Sequence, residues 1–129
     1  TAYRRQRQMC IRDRTYIQMN GKEVFSFAVS KVPEAVKELL SREQVSCEDI
    51  SYYLLHQANE RIIHSAARRL GEDISKFPMN MDRYGNTSSA SLLILLDEMK
   101  KSGKLQRGDR MVLAGFGGGL TYGASLIEY

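Results

Sequence analysis

Three groups of residues that could perform chemistry follow predicted strands or lie in a loop ahead of a helix. His56 follows the apolar stretch ISYYLL, Asn86 lies in RYGNTS, and Gly117–Gly119 follow RMVLAGF. A neutral imidazole and a carboxamide can both donate hydrogen bonds to one oxygen, which stabilises negative charge developing there. Consecutive glycines let the backbone approach a ligand closely. Together these residues predict a site that stabilises an anion.

Each signal alone also has an ordinary structural interpretation. A histidine at the end of a strand is more often structural than catalytic, and asparagine is a common turn residue. The glycine triplet could be a flexible turn, or a weak phosphate loop that lacks the lysine and hydroxyl of a P-loop. The functional interpretation depends on joint placement, because ligands of α/β sheets collect beyond the carboxyl ends of the strands.

Helical and extended patterns alternate along the rest of the chain. Residues 15–21 predict a short strand or extended segment that ends in an Asn-Gly turn. Apolar residues between Val24 and Leu40 predict a helix, in which Pro33 predicts a kink or a fresh helix start. Residues 50–55 predict a buried strand that delivers His56 at its end.

The second half of the chain repeats this alternation. The stretch DISKFPMNMDRYGNTSSAS, residues 73–91, is predicted to be mostly loop and could include a short strand near Phe77–Met79. A strongly apolar helix is predicted from Ala90 to Lys101, capped by Ser88 or Ser89 and closed by Gly103. Strands are predicted at 110–116 and 120–129, joined by the glycine turn. This order predicts an α/β layered fold.

An arginine-rich helix is predicted directly after His56. Asn59 is a natural N-cap, the apolar positions repeat at helical spacing, and Gly71 is placed to end the helix. Arg61 and Arg68 are two helical turns apart and share a face, with Arg69 beside them. The face could be a docking surface for an acidic protein or merely a solvated helix surface.

Composition indicates one domain of a globular protein. The chain has 129 residues, 43% hydrophobic and 26% charged, and its longest aliphatic run is LLILL, far below the ~20 residues of a membrane helix. Neither a membrane nor an export signal is predicted. Cys10 and Cys47 make no metal-ligand spacing, so we predict no metal and a reducing cytoplasmic location.

The net charge of +4 comes wholly from residues 1–14, which contain five arginines and one aspartate. Lys/Arg and Asp/Glu balance in residues 15–129, so no nucleic-acid partner is predicted for that domain. Three interpretations of the arm stand: a translated sequencing-adapter peptide, a disordered native arm, or an arm that binds nucleic acid.

Three motifs resemble the β-ketoacyl-acyl-carrier-protein synthase III family of thiolase-fold condensing enzymes. They are HQAN at 56–59, YGNTSSAS at 84–91 and GFGGGLTYG at 115–123, within a resemblance that runs from about Met19 to Tyr129. The resemblance implies the C-terminal half of a thiolase-like layered fold, a mixed sheet with covering helices and one apolar helix that is normally central.

The resemblance also implies roles for individual residues. His56 and Asn86 match the pair that hydrogen-bonds the thioester carbonyl of malonyl-carrier protein, and Gly118 matches the oxyanion-hole glycine. Acyl-CoA and malonyl-acyl-carrier protein are the implied substrates, without a further cofactor, and the complete enzyme is implied to be a homodimer. The implied carrier-binding residues are Gln57, Ala58, Asn59, Glu60 and Arg61, with Arg68 and Arg69 on the same helix.

The chain departs from the family at the nucleophile. No residue matches the catalytic cysteine of the family's N-terminal half, and the acidic neighbours Glu48 and Asp49 disfavour a thiolate at Cys47. We therefore expect an incomplete acyltransferase, inactive as an isolated chain, that requires the N-terminal half as its partner. Alternatives are a related polyketide or alkylquinolone starter enzyme, a non-catalytic carrier-binding fragment, and a truncation with no activity.

Overall fold

The computed structural model describes residues 19–129 of the chain. Its helices are α1 (Gly21–Glu43), α2 (Glu60–Leu70), α3 (Met81–Tyr84) and α4 (Ala90–Lys101), its strands are β1 (Tyr52–Leu55), β2 (Arg110–Gly117) and β3 (Thr121–Glu128), and two single turns of 3-10 helix lie at Cys47–Asp49 and Ile74–Lys76. The proposed arm at 1–14 and most of the predicted extended segment at 15–21 lie outside the described residues.

The three strands form one mixed sheet in the order β1-β2-β3. β1 runs parallel to β2, with Tyr52 opposite Met111 and Leu55 opposite Ala114. β2 and β3 form an antiparallel hairpin that closes where Gly117 pairs with Thr121. The predicted strands and the glycine turn between the last two are confirmed. The parallel pairing brings the carboxyl ends of β1 and β2 to the same edge of the sheet.

Helices α1 and α2 cover one face of the sheet. Val36 and Leu40 of α1 and Ile63 and Ala66 of α2 pack with Tyr53 and its neighbours in one buried cluster. The Tyr53 ring stacks on Phe77, with ring centroids 4.8 Å apart. Burying each large side chain of this cluster contributes about 1.5–3 kcal/mol. The cluster holds β1 firmly, and with it the position of His56 at the end of that strand.

Helix α4 covers the opposite face. Ser91, Leu95 and Met99, spaced four residues apart, are buried, and the last two pack with Leu54 and Met111. Leu93 on the other side of the helix is 65% exposed. The predicted helix from Ala90 to Lys101 is confirmed. The sheet with helices on both faces also confirms the predicted α/β class.

Several local predictions are wrong. Asn20 caps α1 by accepting from the Glu23 amide, where a turn was predicted, and α1 continues through Pro33 without a fresh start. A proline removes only one intrahelical hydrogen bond, and the buried face of α1 extends on both sides of it. Ser89 precedes α4 but makes no side-chain cap bond. The segment 77–79 forms no strand, because Phe77 turns inward onto Tyr53.

Of the helices in the described part of the chain, none combines the length and the apolar character needed to cross a membrane.

Candidate active site

His56 lies at the carboxyl end of β1, where the sheet ladder finishes. Its backbone N–H donates to the Ala114 carbonyl at 2.9 Å, which extends the β1–β2 pairing by one residue. Its imidazole and the Phe116 ring form a T-shaped contact, with centroids 5.2 Å apart and planes at 69°. The strand pairing and this aromatic contact hold the histidine at the sheet edge where the sequence predicted it.

One nitrogen of the His56 imidazole is held by a side chain from α4. Nδ1 lies 2.7 Å from the hydroxyl oxygen of Ser91, and that oxygen also accepts the Gln57 backbone N–H at 3.3 Å. Ser91 is only 2% exposed. Burial lowers the pKa of His56 below its ordinary value, because the charged imidazolium loses hydration. A neutral imidazole with one nitrogen engaged keeps the other for a ligand.

We expect the chain to lose stability as the pH falls below 6.5, the ordinary pKa of a histidine. Because the folded state lowers the pKa of His56, the unfolded chain binds more protons in the interval below that value. The free energy of unfolding therefore increases as the pH rises from the lowered pKa of the folded state to the ordinary pKa of the unfolded state. The contribution of His56 to stability is lost as the pH falls through the same range. Urea unfolding at several values between about pH 5 and pH 8 measures the effect.

The matched pair for this measurement is His56→Asn and His64→Asn. His64→Asn makes the same substitution at an exposed position of α2 and serves as the control, whereas His56→Asn should flatten the pH profile. A His56→Asn profile as steep as that of the unmodified chain would show that another group causes the dependence.

Asn86 lies in the turn that leads into α4. Its Oδ1 accepts the Ser88 backbone N–H at 2.9 Å, so the carboxamide is oriented and its Nδ2 group remains the donor. Gly85 ahead of it has φ +65°, and Ser88 after it has φ +56°. The Ser91 N–H closes the turn onto the Ser88 carbonyl at 3.1 Å. Since Ser91 contacts His56, this compact turn brings Asn86 to the same end of the sheet.

The glycine turn joins β2 to β3 beside the same edge. Gly118 is exposed, and its carbonyl accepts a hydrogen bond from the Thr121 hydroxyl at 2.8 Å. Gly119 has φ +139°, and a Cβ there would lie 2.7 Å from Thr121 Cγ2. The turn therefore requires glycine at position 119, and its tight path presents Gly118 to solvent two residues beyond Phe116, the ring that contacts His56.

Gln57 does not lie on the surface that the resemblance implied for it. It is 1% exposed, its Nε2 donates to the Leu55 carbonyl at 2.7 Å, and its Oε1 accepts the Asn80 N–H at 3.1 Å. A side chain with both polar ends bonded inside the protein cannot reach a carrier protein. Gln57 instead ties the segment after His56 to the loop that precedes Asn86.

A second polar cluster braces that loop against α4. Glu98 accepts from Asn80 Nδ2 at 2.6 Å, from Tyr84 at 3.2 Å and from both terminal nitrogens of Arg83, at 2.6 and 3.1 Å. The hydrogen bond from Asn80, followed by the contacts from Tyr84 and Arg83, lowers the pKa of the Glu98 carboxyl below its ordinary value. Ser91, Asn80 and Glu98 were not predicted as site residues. For Ser91 the available signal was its place within YGNTSSAS, ahead of a predicted helix.

The predicted carrier-binding residues other than Gln57 lie near the surface at the start of α2 or along it. Asn59 caps the helix by accepting the Arg61 N–H at 2.8 Å, Glu60 occupies the first turn, and Ala58 is half-buried. A carboxylate in a first turn stabilises the helix dipole, so Glu60 has a structural role. Gly71 ends the helix at φ +75°, as predicted.

Three arginines of α2 are exposed: Arg61, Arg68 and Arg69. The Arg61 guanidinium lies over the Phe25 ring of α1, 5.5 Å from its centroid. The ion pairs formed within residues 19–129 include none of the three. Their positive charge is therefore available at the surface. Arg61 lies in the first turn of α2, five residues after His56, whereas Arg68 and Arg69 lie in the last turn of the helix.

Cys47 lies at the opposite end of β1 from His56. It belongs to the 3-10 turn that precedes the strand, and its carbonyl accepts from Tyr53 and Lys76. The free thiol is half-buried. Its position separates it from the histidine by the length of the strand, in agreement with the expectation that it does not act as the nucleophile.

Comparison with known proteins identifies the family. The model of the 3-oxoacyl-[acyl-carrier-protein (ACP)] synthase III C terminal matches residues 40–129. A beta-ketoacyl-[acyl-carrier-protein] synthase III of Clostridium kluyveri is 49% identical over 115 residues, which are 89% of this chain and 36% of that protein. The corresponding protein of Lactobacillus delbrueckii subsp. bulgaricus is 50% identical over 118 residues, 92% of this chain and 37% of the relative.

Solved structures agree with this assignment. The synthase III of Thermus thermophilus superposes with a TM-score of 0.87 at 40% identity, over 90% of this chain and 36% of that one. The Aquifex aeolicus VF5 structure gives 0.86 at 44% identity, over 88% of this chain and 37% of that one. The chain thus spans little more than a third of the proteins it matches, and their thiolase-like fold confirms the predicted fold class. On this evidence the chain belongs to the family defined by the C-terminal part of 3-oxoacyl-[acyl-carrier-protein] synthase III.

Proposed function

We propose that this chain is the C-terminal catalytic part of a decarboxylating condensing enzyme that starts fatty-acid synthesis. The complete enzyme would join an acyl group from acyl-CoA to malonyl-acyl-carrier protein, with loss of CO2, to form β-ketoacyl-carrier protein. It would act in the cytoplasm as a homodimer. The observation that carries the proposal is the His56 imidazole, which is half-buried and held through Nδ1 by Ser91, with a pKa that burial lowers.

The proposed division of labour follows from the donors at this edge of the sheet. The second imidazole nitrogen of His56 and Nδ2 of Asn86 would donate to the thioester oxygen of the malonyl group. Loss of CO2 leaves the bonding electrons on the α-carbon, and the enolate oxygen then carries the charge that the two donors stabilise. The α-carbon attacks the acyl thioester, and the cysteine leaves as thiolate.

The acyl-bearing cysteine must come from the remainder of the enzyme. The family's nucleophile motif is absent from this chain, and Cys47 lies at the far end of β1. Gly118 is proposed to donate its backbone N–H to the carbonyl oxygen of the acyl-cysteine. The exposed Gly118 and the glycine required at 119 support a backbone that a ligand can approach closely.

A chimeric enzyme tests the proposal. The matching 115-residue portion of the Clostridium kluyveri relative would be replaced by the corresponding part of this chain, and malonyl-carrier decarboxylation and condensation measured. Both activities are expected, because the exchanged part would supply the enolate-stabilising donors. A folded chimera that performs neither reaction would contradict the proposed function.

Carrier docking is proposed to use the exposed arginines of α2. We expect Arg61→Glu to weaken binding of an acidic acyl-carrier protein by about tenfold or more, with the difference shrinking at high salt. The Arg61 guanidinium lies over the Phe25 ring, a contact that favours one position for its charge, and Arg61 is in the first turn of the helix that follows His56. Titration of the chimera with carrier protein at low and high salt measures the effect.

Lys104→Glu is the control for this experiment. Lys104 is exposed and precedes β2, at the other end of the sheet, so the variant carries the same change in net charge away from α2. Equal weakening by both variants would show that total charge, and not the α2 surface, determines carrier binding.

A further inference from the structure

We infer that Ser91 is a positioning residue that holds His56 as the tautomer with its proton on Nε2. The geometry concerns three groups at the start of α4: the Ser91 hydroxyl, the His56 imidazole and the Gln57 backbone amide. Ser91 Oγ lies 2.7 Å from His56 Nδ1 and 3.3 Å from the Gln57 nitrogen. The consequence for catalysis rests on the proposed function, whereas the tautomer does not.

The direction of the two hydrogen bonds follows from their donors. A backbone N–H can only donate, so the Ser91 oxygen accepts from Gln57. The hydroxyl then has its own proton to place. Nδ1 of His56 is the acceptor within reach, at a short distance for a hydrogen bond between a hydroxyl and a nitrogen. Nδ1 therefore accepts, and the imidazole proton resides on Nε2.

The opposite tautomer would leave a buried donor without an acceptor. If Nδ1 carried the proton, the Ser91 oxygen would accept from both His56 and Gln57, and its hydroxyl proton would need another partner. Ser91 is 2% exposed, and the hydrogen bonds found within residues 19–129 supply no other acceptor for its hydroxyl. An unsatisfied buried hydroxyl is unfavourable enough to bias the tautomers by about tenfold or more.

Ser91 is itself held in place from two directions. It is the second residue of α4, and its backbone N–H bonds the Ser88 carbonyl at 3.1 Å. Seven residues further along the same helix, Glu98 ties α4 to Asn80, the residue whose backbone binds Gln57. These hydrogen bonds fix the start of α4 and keep the Ser91 hydroxyl next to His56. Of the two imidazole nitrogens of His56, only Nε2 then remains to donate to a substrate oxygen.

Imidazole nitrogen NMR tests the tautomer in the 129-residue chain itself. The sequence contains two histidines, so a His64→Gln variant labelled with 15N in histidine shows His56 alone. The spectra are recorded about one pH unit above the ordinary histidine pKa, at about pH 7.5 or higher, where the neutral imidazole predominates. We expect an unprotonated Nδ1 and a protonated Nε2. A hydrated sediment measured by solid-state NMR gives the same information if the exposed apolar face of α4 causes self-association.

Variants of two neighbouring serines make the test specific. Ser91→Ala should shift the His56 population measurably toward the Nδ1-protonated tautomer, and Ser91→Thr, which keeps the hydroxyl, should restore the original population. Ser89→Ala is the matched control, because Ser89 is exposed and makes no cap bond. In the chimera, Ser91→Ala should lower kcat about tenfold with little change in KM.

Two results would overturn the inference. One is a proton on Nδ1 in the unmodified chain, a result that stands even if Ser91→Ala does not fold. The other is a folded Ser91→Ala variant with an unchanged tautomer population. The NMR result does not depend on turnover: an Nε2-protonated His56 in a chimera without decarboxylase activity would contradict the proposed function and support the role of Ser91.

Discussion

His56→Ala is expected to lower the rate of malonyl-carrier decarboxylation in the chimera by about 10²–10³-fold. The variant removes one of the two proposed donors to the enolate oxygen. That oxygen gains charge only as CO2 leaves, so a donor aimed at it lowers the barrier more than it strengthens substrate binding. The loss should therefore lie in kcat, with KM changed little. Release of CO2 from labelled malonyl-carrier measures it.

The control for this prediction is His64→Ala. His64 lies exposed on α2, eight residues from His56, and its replacement makes the same chemical change outside the proposed site. It should retain full decarboxylase activity. If His56→Ala also retained activity, the imidazole would be a structural residue of the β1 end, and the proposed mechanism would fail.

Asn86→Asp is expected to lower the rate of malonyl-carrier decarboxylation in the chimera at least as much as His56→Ala, by about 10³-fold or more. Aspartate has nearly the shape of asparagine and keeps the oxygen that accepts the Ser88 N–H, so the turn should persist. The variant loses the Nδ2 donor and brings a negative charge toward an oxygen that must itself become negative. Asn86→Ala loses only the donor, and its smaller defect would separate the two contributions.

Asn20→Asp is the matched control. Asn20 also accepts a backbone N–H through Oδ1, that of Glu23 at the start of α1, so the same substitution is made at the same kind of bond. A carboxylate at a helix N-terminus is favourable, and activity should be unchanged. Near-normal decarboxylation by a folded Asn86→Asp enzyme would exclude Asn86 from the enolate site.

These experiments together separate the condensing-enzyme interpretation from two of the alternatives left by the sequence, a docking fragment and a truncation without activity. Loss of decarboxylation in both variants with carrier binding retained would support a catalytic part of a condensing enzyme. Sensitivity to Arg61→Glu in a chimera without decarboxylase activity would support a docking fragment. Absence of both activities would support a truncation that has no function by itself.

Much of the fold follows from patterns that act within a few residues. The apolar run at 50–55 and the alternation after position 120 predicted strands, and Asn59 and Gly71 correctly marked the two ends of α2. Caps and turns are local hydrogen bonds and backbone angles, so neighbouring residues suffice to specify them. The same local rules suggested a fresh helix start at Pro33 and a strand at 77–79, and neither forms, because packing against the sheet prevailed over local preference.

The positions of the candidate donors were also accessible from the order of the elements. His56 and the glycine turn both follow strands, and parallel pairing of β1 with β2 brings those ends to one edge. The resemblance carried in HQAN, YGNTSSAS and GFGGGLTYG added the chemical roles that are proposed for these residues. The strand pattern and the motifs were therefore sufficient to predict that His56 and the glycine turn lie at one edge of the sheet.

The supporting contacts depended on the packed molecule. Ser91 meets His56 across 35 positions of the chain, and Asn80 meets Gln57 across 23, so no local pattern reports either contact. Packing of α4 against the sheet makes the first contact, while burial of the loop after Phe77 makes the second and turns Gln57 inward. Side-chain hydrogen bonds between distant segments exist only after the hydrophobic faces have brought those segments together, which is why they lay beyond what the residue order alone could specify.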